Sequence, residues 1–445
     1  MLEVLNTLLW GPGTLALILG TGVWLTLRTG GFPQRNLGRA LTLSLGREAR
    51  RKGRGGVSPF GSLMTALAST VGTGNIVGVA AALVSGGPGA LVWMELAALL
   101  GLAAKFAECM LAVKYHRVRQ DGTRWGGPMA VMETRLGPAG AVLGRFYALF
   151  ALLMAFAMGA MAQSGALADT FSAAFTLPRW RVGLVTAVLA LAILLGGIRR
   201  IAEISTVLVP VMTLLYLGGG LAVILGNLRR LPGAVTLMLR CAVAPEAALG
   251  GALGIVTRRE ALRWGVARSV FSNEAGLGSA AITAACADTE DPVKQGLISM
   301  TGVFFDTMVI CTVTGLAICC SGTLGAADGN GLPLTGAALT LRAFETVLGP
   351  LAPWLIGVAL GLFAFTSVLG CAVQAETTAS YLLGPEAVRP CRVLYGLAVF
   401  AGAVIPMATV LQLADLANAL MAFPNLVCLL LLSGEIAGEC GRKDR

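Results

Sequence analysis

Gly72-Thr73-Gly74-Asn75 and Phe271-Ser272-Asn273-Glu274-Ala275-Gly276-Leu277-Gly278 place hydroxyls, amides and one carboxylate beside glycines, inside runs that are otherwise apolar. Glycine costs a helix interior roughly 1 kcal/mol relative to alanine, so neither stretch makes a good continuous helix. Irregular backbone at membrane depth is tolerated only where it lines a cavity or is buried in protein. A helix that opens at Gly72–Gly74 exposes orphan carbonyls on one side and orphan N–H groups on the other. The N–H end suits a carboxylate and the carbonyl end a cation. Asn75 adds a side-chain oxygen for an ion. The bland alternative is a glycine-rich packing seam between helices. Gly72, Gly74 and Gly78 also mimic a dinucleotide fingerprint with Glu95 downstream. That pattern needs a preceding strand and a βαβ unit, which an apolar run of membrane length does not supply.

Other polar residues in apolar runs extend the set. Glu274 is an acid at membrane depth and so a functional candidate by default; a structural carboxylate bonded to neighbouring helices is an equal alternative. Thr366 and Ser367 are adjacent hydroxyls, the hard oxygens that sodium prefers. Taken alone, they read first as hydroxyls bonded back to their own helix. Gln163 offers a donor and an acceptor to a polar ligand, or serves as interhelical glue. Asp306, Glu376 and Asp415 read as structural or gating acids.

The chain is 56% hydrophobic and 13% charged, with a mean hydropathy of +0.79. A soluble domain carries about 25% charged residues, so this composition belongs to a polytopic membrane protein. The ten cysteines sit mostly in apolar runs and read as small buried hydrophobes rather than disulfides or metal ligands. The single histidine, His116, lies in a basic loop, which argues against metal sites and a Ser-His hydrolase. The net charge of +10 concentrates in loops between apolar runs, as the positive-inside rule expects, and is no sign of nucleic-acid binding. Glu3 stands where a cleavable signal peptide would be basic.

Apolar runs of about 20 residues number about eleven. They fall near Leu5–Leu27, Pro59–Ser85, Ala90–Val113, Ala141–Ala168, Val182–Leu195, Ile204–Leu225, Trp264–Ala285, Gly296–Cys320, Leu351–Leu383, Leu394–Leu411 and Leu416–Leu432. The second and seventh hold the interruptions. The basic loop after the first run, Arg28 to Arg54, belongs in the cytoplasm and puts the N-terminus outside. Five runs follow from each interrupted one, the arithmetic of an inverted-topology repeat. The domain boundaries expected are an N-terminal span and loop (1–57), a first five-helix repeat (58–227), a connection (228–262), a second repeat (263–434) and a cytoplasmic tail (435–445). A short helix near Gly336–Val347 reads as an outer lid. Lys105 and Glu108 form an i,i+3 pair.

At these residues the chain resembles the alanine or glycine:cation symporter family, the sodium:alanine symporters. The likeness is carried by Pro59-Phe60 through Thr73-Gly74-Asn75-Ile76, Gly86-Gly87-Pro88-Gly89-Ala90, Lys105-Phe106-Ala107-Glu108 and Gly126-Gly127-Pro128-Met129. It continues from Arg263 to Ala280 and in Met421-Ala422-Phe423-Pro424-Asn425-Leu426. The resemblance implies an all-α, leucine-transporter-like 5+5 inverted repeat with one extra N-terminal span. It implies sodium-coupled import of a small neutral amino acid, alanine or glycine, with Na+ as coupling ion and no organic cofactor. Carried over by position, Thr70, Thr73, Gly74, Gln163, Phe271, Ser272 and Gly276 would bind substrate. Ala68, Val71, Asn75, Thr366 and Ser367 would hold sodium, which raises the sodium reading of the last two above back-bonding. The chain departs from the family's usual pattern at Cys371–Glu376 and at Ala130 and Val131, which bears on substrate size and gating.

The expectation is a multi-pass inner-membrane symporter, not an enzyme, working by alternating access, with the C-terminus cytoplasmic, lipid around it and the oligomeric state open. The rivals are a proton-coupled carrier with Glu274 or Glu376 titrating, a membrane-embedded enzyme and a non-transporting sensor.

Overall fold

The computed structural model describes residues 6, 9–51, 57–119, 122–243, 246–248, 255–327 and 331–444. Among them the chain is all-α apart from two short antiparallel ribbons, Arg117–Val118 with Arg124–Trp125 and Glu246–Ala248 with Ile255–Thr257. In chain order the principal helices are α1 (Pro12–Arg28), α2 (Leu37–Leu45), α3 (Pro59–Thr70), α4 (Val77–Gly86), α5 (Gly89–Lys114), α6 (Pro128–Arg135) and α7 (Gly137–Met154). A π-helical segment, Ala155–Ala162, joins α7 to α8 (Gln163–Phe175). Then come α9 (Arg179–Leu194), α10 (Gly197–Gly226), α11 (Leu231–Val243), α12 (Arg258–Asn273), α13 (Ser279–Ala284) and α14 (Pro292–Val303). A second π-helical segment, Phe304–Cys311, leads into α15 (Thr312–Ser321). The rest are α16 (Gly336–Leu348), α17 (Ala352–Leu383), α18 (Val388–Val404), α19 (Met407–Leu431) and α20 (Ser433–Asp444).

Among the described residues seven helices are long and apolar enough to cross a bilayer, and an eighth span comes from the bent pair at the first interruption. The other three expected spans are α1 (17 residues), α9 (16 residues) and the broken pair α12–α13, which fall outside that test. Large apolar side chains are exposed along the outward flanks, for example Leu184, Val188, Leu214, Leu221, Val393 and Leu397. On a chain this apolar they are the surface that meets lipid.

Local chemistry sets the helix ends. Ser58 caps α3 by accepting from the Gly61 N–H at 3.0 Å, with Pro59 in the first turn, where its missing N–H costs nothing. Thr257 and Glu260 form a capping box that starts α12 at Arg258, earlier than the expected Trp264. The expected tenth span, Leu394–Leu411, is instead two helices. α18 ends at Val404, because Pro406 pushes the residue before it, Ile405, into extended backbone (φ −76, ψ 146). The polar tail expected from Glu435 is largely the helix α20.

Candidate functional site

The first interruption opens where the glycines stand. α3 ends at Thr70, Thr73–Asn75 form one 3-10 turn, and the two halves meet at 61°. The Asn75 side chain holds this turn. Its Oδ1 accepts from the Gly72 N–H at 2.9 Å. Its Nδ2 donates to Asp306 Oδ1 at 2.8 Å and to Ser272 Oγ at 3.1 Å. The Ile76 carbonyl, at the start of α4, accepts from Thr340 of α16 at 3.2 Å as well as from the Ala80 N–H at 3.4 Å. The expected lid helix is therefore bonded to the break.

The second interruption follows α12. Glu274 lies in left-handed backbone at φ +53, and Gly276 and Gly278 have φ of +87 and +80. Ser272, just inside the helix end, donates to Asp306 Oδ2 at 2.7 Å. Thr307 donates to the same oxygen at 2.9 Å. Asp306 is fully buried, and its three side-chain donors, Asn75, Ser272 and Thr307, are all neutral. One carboxylate thus joins both interruptions. The π-helical segment that carries Asp306 is the kind of local widening of a helix that recurs at functional sites.

The expected site residues fall into two groups. Thr73, Gly74 and Phe271 line one cavity of ≈ 420 Å³, together with Met158, Arg268 and Asp415. Gln163, placed by the other π-helical segment, is buried and reaches the break, where Thr73 Oγ1 donates to its Oε1 at 3.4 Å. Ser367 sits against the break, 3.5 Å from the Val71 carbonyl and donating to Phe363 O at 2.9 Å. α17 comes this close to α3 because residue 370 is glycine. A Cβ there would stand 2.5 Å from the Ser69 nitrogen and 2.9 Å from the Ala68 carbonyl carbon.

The remaining residues lie elsewhere or turn inward. Thr366 is one residue from Ser367, but its hydroxyl donates to Leu362 O and Phe363 O, both at 3.0 Å, beside Met212 Sδ at 3.2 Å. Thr70 bonds back to Ala66 O at 3.2 Å. Gly276 does not line the cavity of Thr73 and Phe271; its N–H and carbonyl are taken by Glu108 and Asn425. Ala68 and Val71 are buried at the end of α3. Cys371, the first residue of the family departure, packs against Gly159, away from the cavity. Glu376 is held by a two-pronged ion pair from Arg392, both bonds 2.8 Å. Glu274 accepts from Ser279 Oγ.

The residue missed from the sequence is Asp306 as a member of the site. Its one signal was an acid in an apolar run. No group of three or more His, Cys, Asp or Glu side chains among the described residues is placed to hold a metal.

Comparison with known proteins places the chain among relatives. The sodium:alanine symporter family profile matches residues 1–441. The sodium/alanine symporter AgcS of Methanococcus maripaludis is 41% identical over 441 residues, 99% of this chain and 96% of that protein. The probable sodium/glutamine symporter GlnT of Bacillus subtilis is 36% identical over 438 residues, 97% of this chain and 87% of that protein. Among solved structures, MhsT in complex with L-phenylalanine superposes with a TM-score of 0.60 at 15% identity, over 85% of this chain and 90% of that one. That likeness establishes the leucine-transporter-like fold.

Proposed function

The chain belongs to the sodium:alanine symporter family, and from that membership we propose that it imports alanine or glycine, driven by sodium entry. It is a multi-pass membrane transporter of a sodium-coupled amino-acid symporter family and not an enzyme. The observation that carries the finer reading is the meeting of the two interruptions at Asp306, with Asn75 on one side and Ser272 on the other.

In this reading the amino-acid carboxylate docks on the Thr73–Gly74 backbone and its ammonium group meets Gln163. Phe271 walls the side-chain end, in keeping with a small substrate. Sodium sits where the carbonyls of Ala68 and Val71 face Ser367 and Thr366, after Thr366 turns from its own helix. The Asp306 carboxyl, joined to the first interruption through Asn75, adds oxygen atoms that a cation entering the core would meet. A ligand shifts the outward and inward states only by binding them unequally, and sodium and amino acid together supply that bias. Eleven crossings, five in each inverted repeat, with the N-terminus outside and the C-terminus in the cytoplasm of an inner membrane, complete the proposal.

Uptake into proteoliposomes tests it. Labelled alanine should enter when a sodium gradient is imposed and not when choline replaces sodium at fixed pH. Competition by glycine, serine, glutamine and both alanine enantiomers defines the substrate. Uptake that persists in choline and rises with an acid-outside gradient would replace sodium with protons as the coupling ion.

A further inference from the structure

Three of the five residues from Glu274 to Gly278 have positive φ. No right-handed helix runs through such backbone, so the N–H groups of Gly276 and Gly278 find no partner in their own segment. A buried unpaired N–H costs about as much as a lost hydrogen bond.

The partner comes from α5. Glu108 Oε2 accepts from the Gly276 N–H at 3.2 Å and the Gly278 N–H at 3.1 Å. It also accepts from Asn425 Nδ2 of α19 at 3.1 Å, and the same nitrogen donates to Gly276 O at 2.9 Å. Two helices therefore grip the unwound segment through one carboxylate and one amide.

The other oxygen of Glu108 has a different neighbour. Oε1 accepts no hydrogen bond among the described residues and lies 3.6 Å from Lys105 Nζ, which has no acceptor of its own. The two side chains are 3% and 0% exposed. A carboxylate buried without a counter-charge takes up a proton rather than stay ionised. Lys105 is the positive charge set against that oxygen, and it offsets part of the cost of burial.

We propose that Glu108 is a positioning residue for transport and that Lys105 is the buried partner of its other oxygen. Together they hold the Glu274–Gly278 segment unwound. Phe271 then stays in the cavity wall, and the Ser272 hydroxyl stays on Asp306 beside the first interruption. The proposal rests on the sodium-coupled reading above for its assay.

The test uses full-length protein in proteoliposomes at matched amounts, with thermal melting of the same preparations. E108D withdraws the carboxylate by one methylene. E108Q leaves Lys105 unpaired, and K105M/E108Q removes both charges. Breaking one side of a buried pair is damaging, whereas removing both is often close to neutral. E108D should melt near wild type and raise both the alanine KM and the half-saturating sodium concentration about tenfold or more. K105M/E108Q should regain transport that E108Q loses, because a glutamine oxygen can still accept the two backbone N–H groups. A folded E108D with wild-type KM and sodium dependence overturns the proposal. So does a double variant that folds yet transports no better than E108Q, and that comparison decides alone if E108D fails to fold. If wild-type uptake ignores sodium, the symport reading fails, while the alanine KM of these variants still tests Glu108.

Discussion

Asn75 Nδ2 and Asp306 Oδ1, separated by 231 positions in the chain, lie 2.8 Å apart in the buried core. The bond ties the first helix interruption to the π-helical segment that follows the second. Ser272 reaches the same carboxylate from the end of α12. One buried carboxyl thus links the two interruptions.

Replacing that carboxylate separates its charge from its shape. Asp306→Asn keeps the volume and one carbonyl oxygen. It should raise the half-saturating sodium concentration at least tenfold, equivalent to about 1.4 kcal/mol, with a smaller change in maximal uptake. Sodium titration of alanine uptake measures it, and an unchanged titration would remove Asp306 from the cation's surroundings.

The two hydroxyls on α17 should not be equal. Ser367→Ala removes the hydroxyl that lies 3.5 Å from the Val71 carbonyl and should weaken sodium dependence markedly. Thr366→Val loses a hydroxyl bonded within its own helix and beside Met212, so sodium reaches this oxygen only after it rotates. Its effect should be the smaller of the two. The same sodium titration ranks them, and a larger loss from Thr366→Val would reverse the assignment.

Gly370→Ala tests the close approach of α17 to α3. The added methyl would meet the Ser69 nitrogen and the Ala68 carbonyl carbon, both backbone atoms that cannot swing aside. Overpacking of this kind costs about 1–3 kcal/mol. The variant should melt below wild type and lose sodium dependence as the helices separate. A wild-type melting curve would show that the contact yields easily.

The tail helix gives a pH prediction. Glu435 pairs with Lys114 at 2.6 Å and Arg135 at 3.1 Å and accepts from Tyr115, which fixes α20 to α5 and α6. Partial burial pushes the Glu435 carboxyl up, but hydrogen bonds from Lys114 and Tyr115 and the nearby positive charges outweigh it and hold the group below the ordinary value of 4.5. A carboxyl depressed on folding adds stability above its unfolded value, and that stability is lost as pH falls through the folded one. Residues 433–444 should show high amide protection, measured against the intrinsic exchange rate at each pH, at neutral pH and low protection below about pH 4.5, and Glu435→Gln should give the low protection already at neutral pH. Equal protection at both pH values would show that packing alone holds the helix.

Much of this was legible in the chain. Glycines with a hydroxyl and an amide in a membrane-length apolar run marked both interruptions, because glycine weakens a helix wherever it sits. The short helix expected near Gly336–Val347 was equally visible and runs over Gly336–Leu348. The boundaries at Arg258 and Val404 were carried by Thr257–Glu260 and Pro406, local signals outweighed by the hydropathy of the surrounding runs.

The sequence by itself determined the membrane class, the family and the two places where helices break, since composition, motif and helix propensity are properties of neighbouring residues. The tertiary structure alone decided what faces what. It drew Asp306 to Asn75 and Ser272 and aimed Ser367 at the break while Thr366 turned to its own helix. It also took Gly276 out of the cavity and onto Glu108. The physical reason is that a buried polar group must find its partner wherever packing brings one, and in this core the partners lie up to hundreds of residues away.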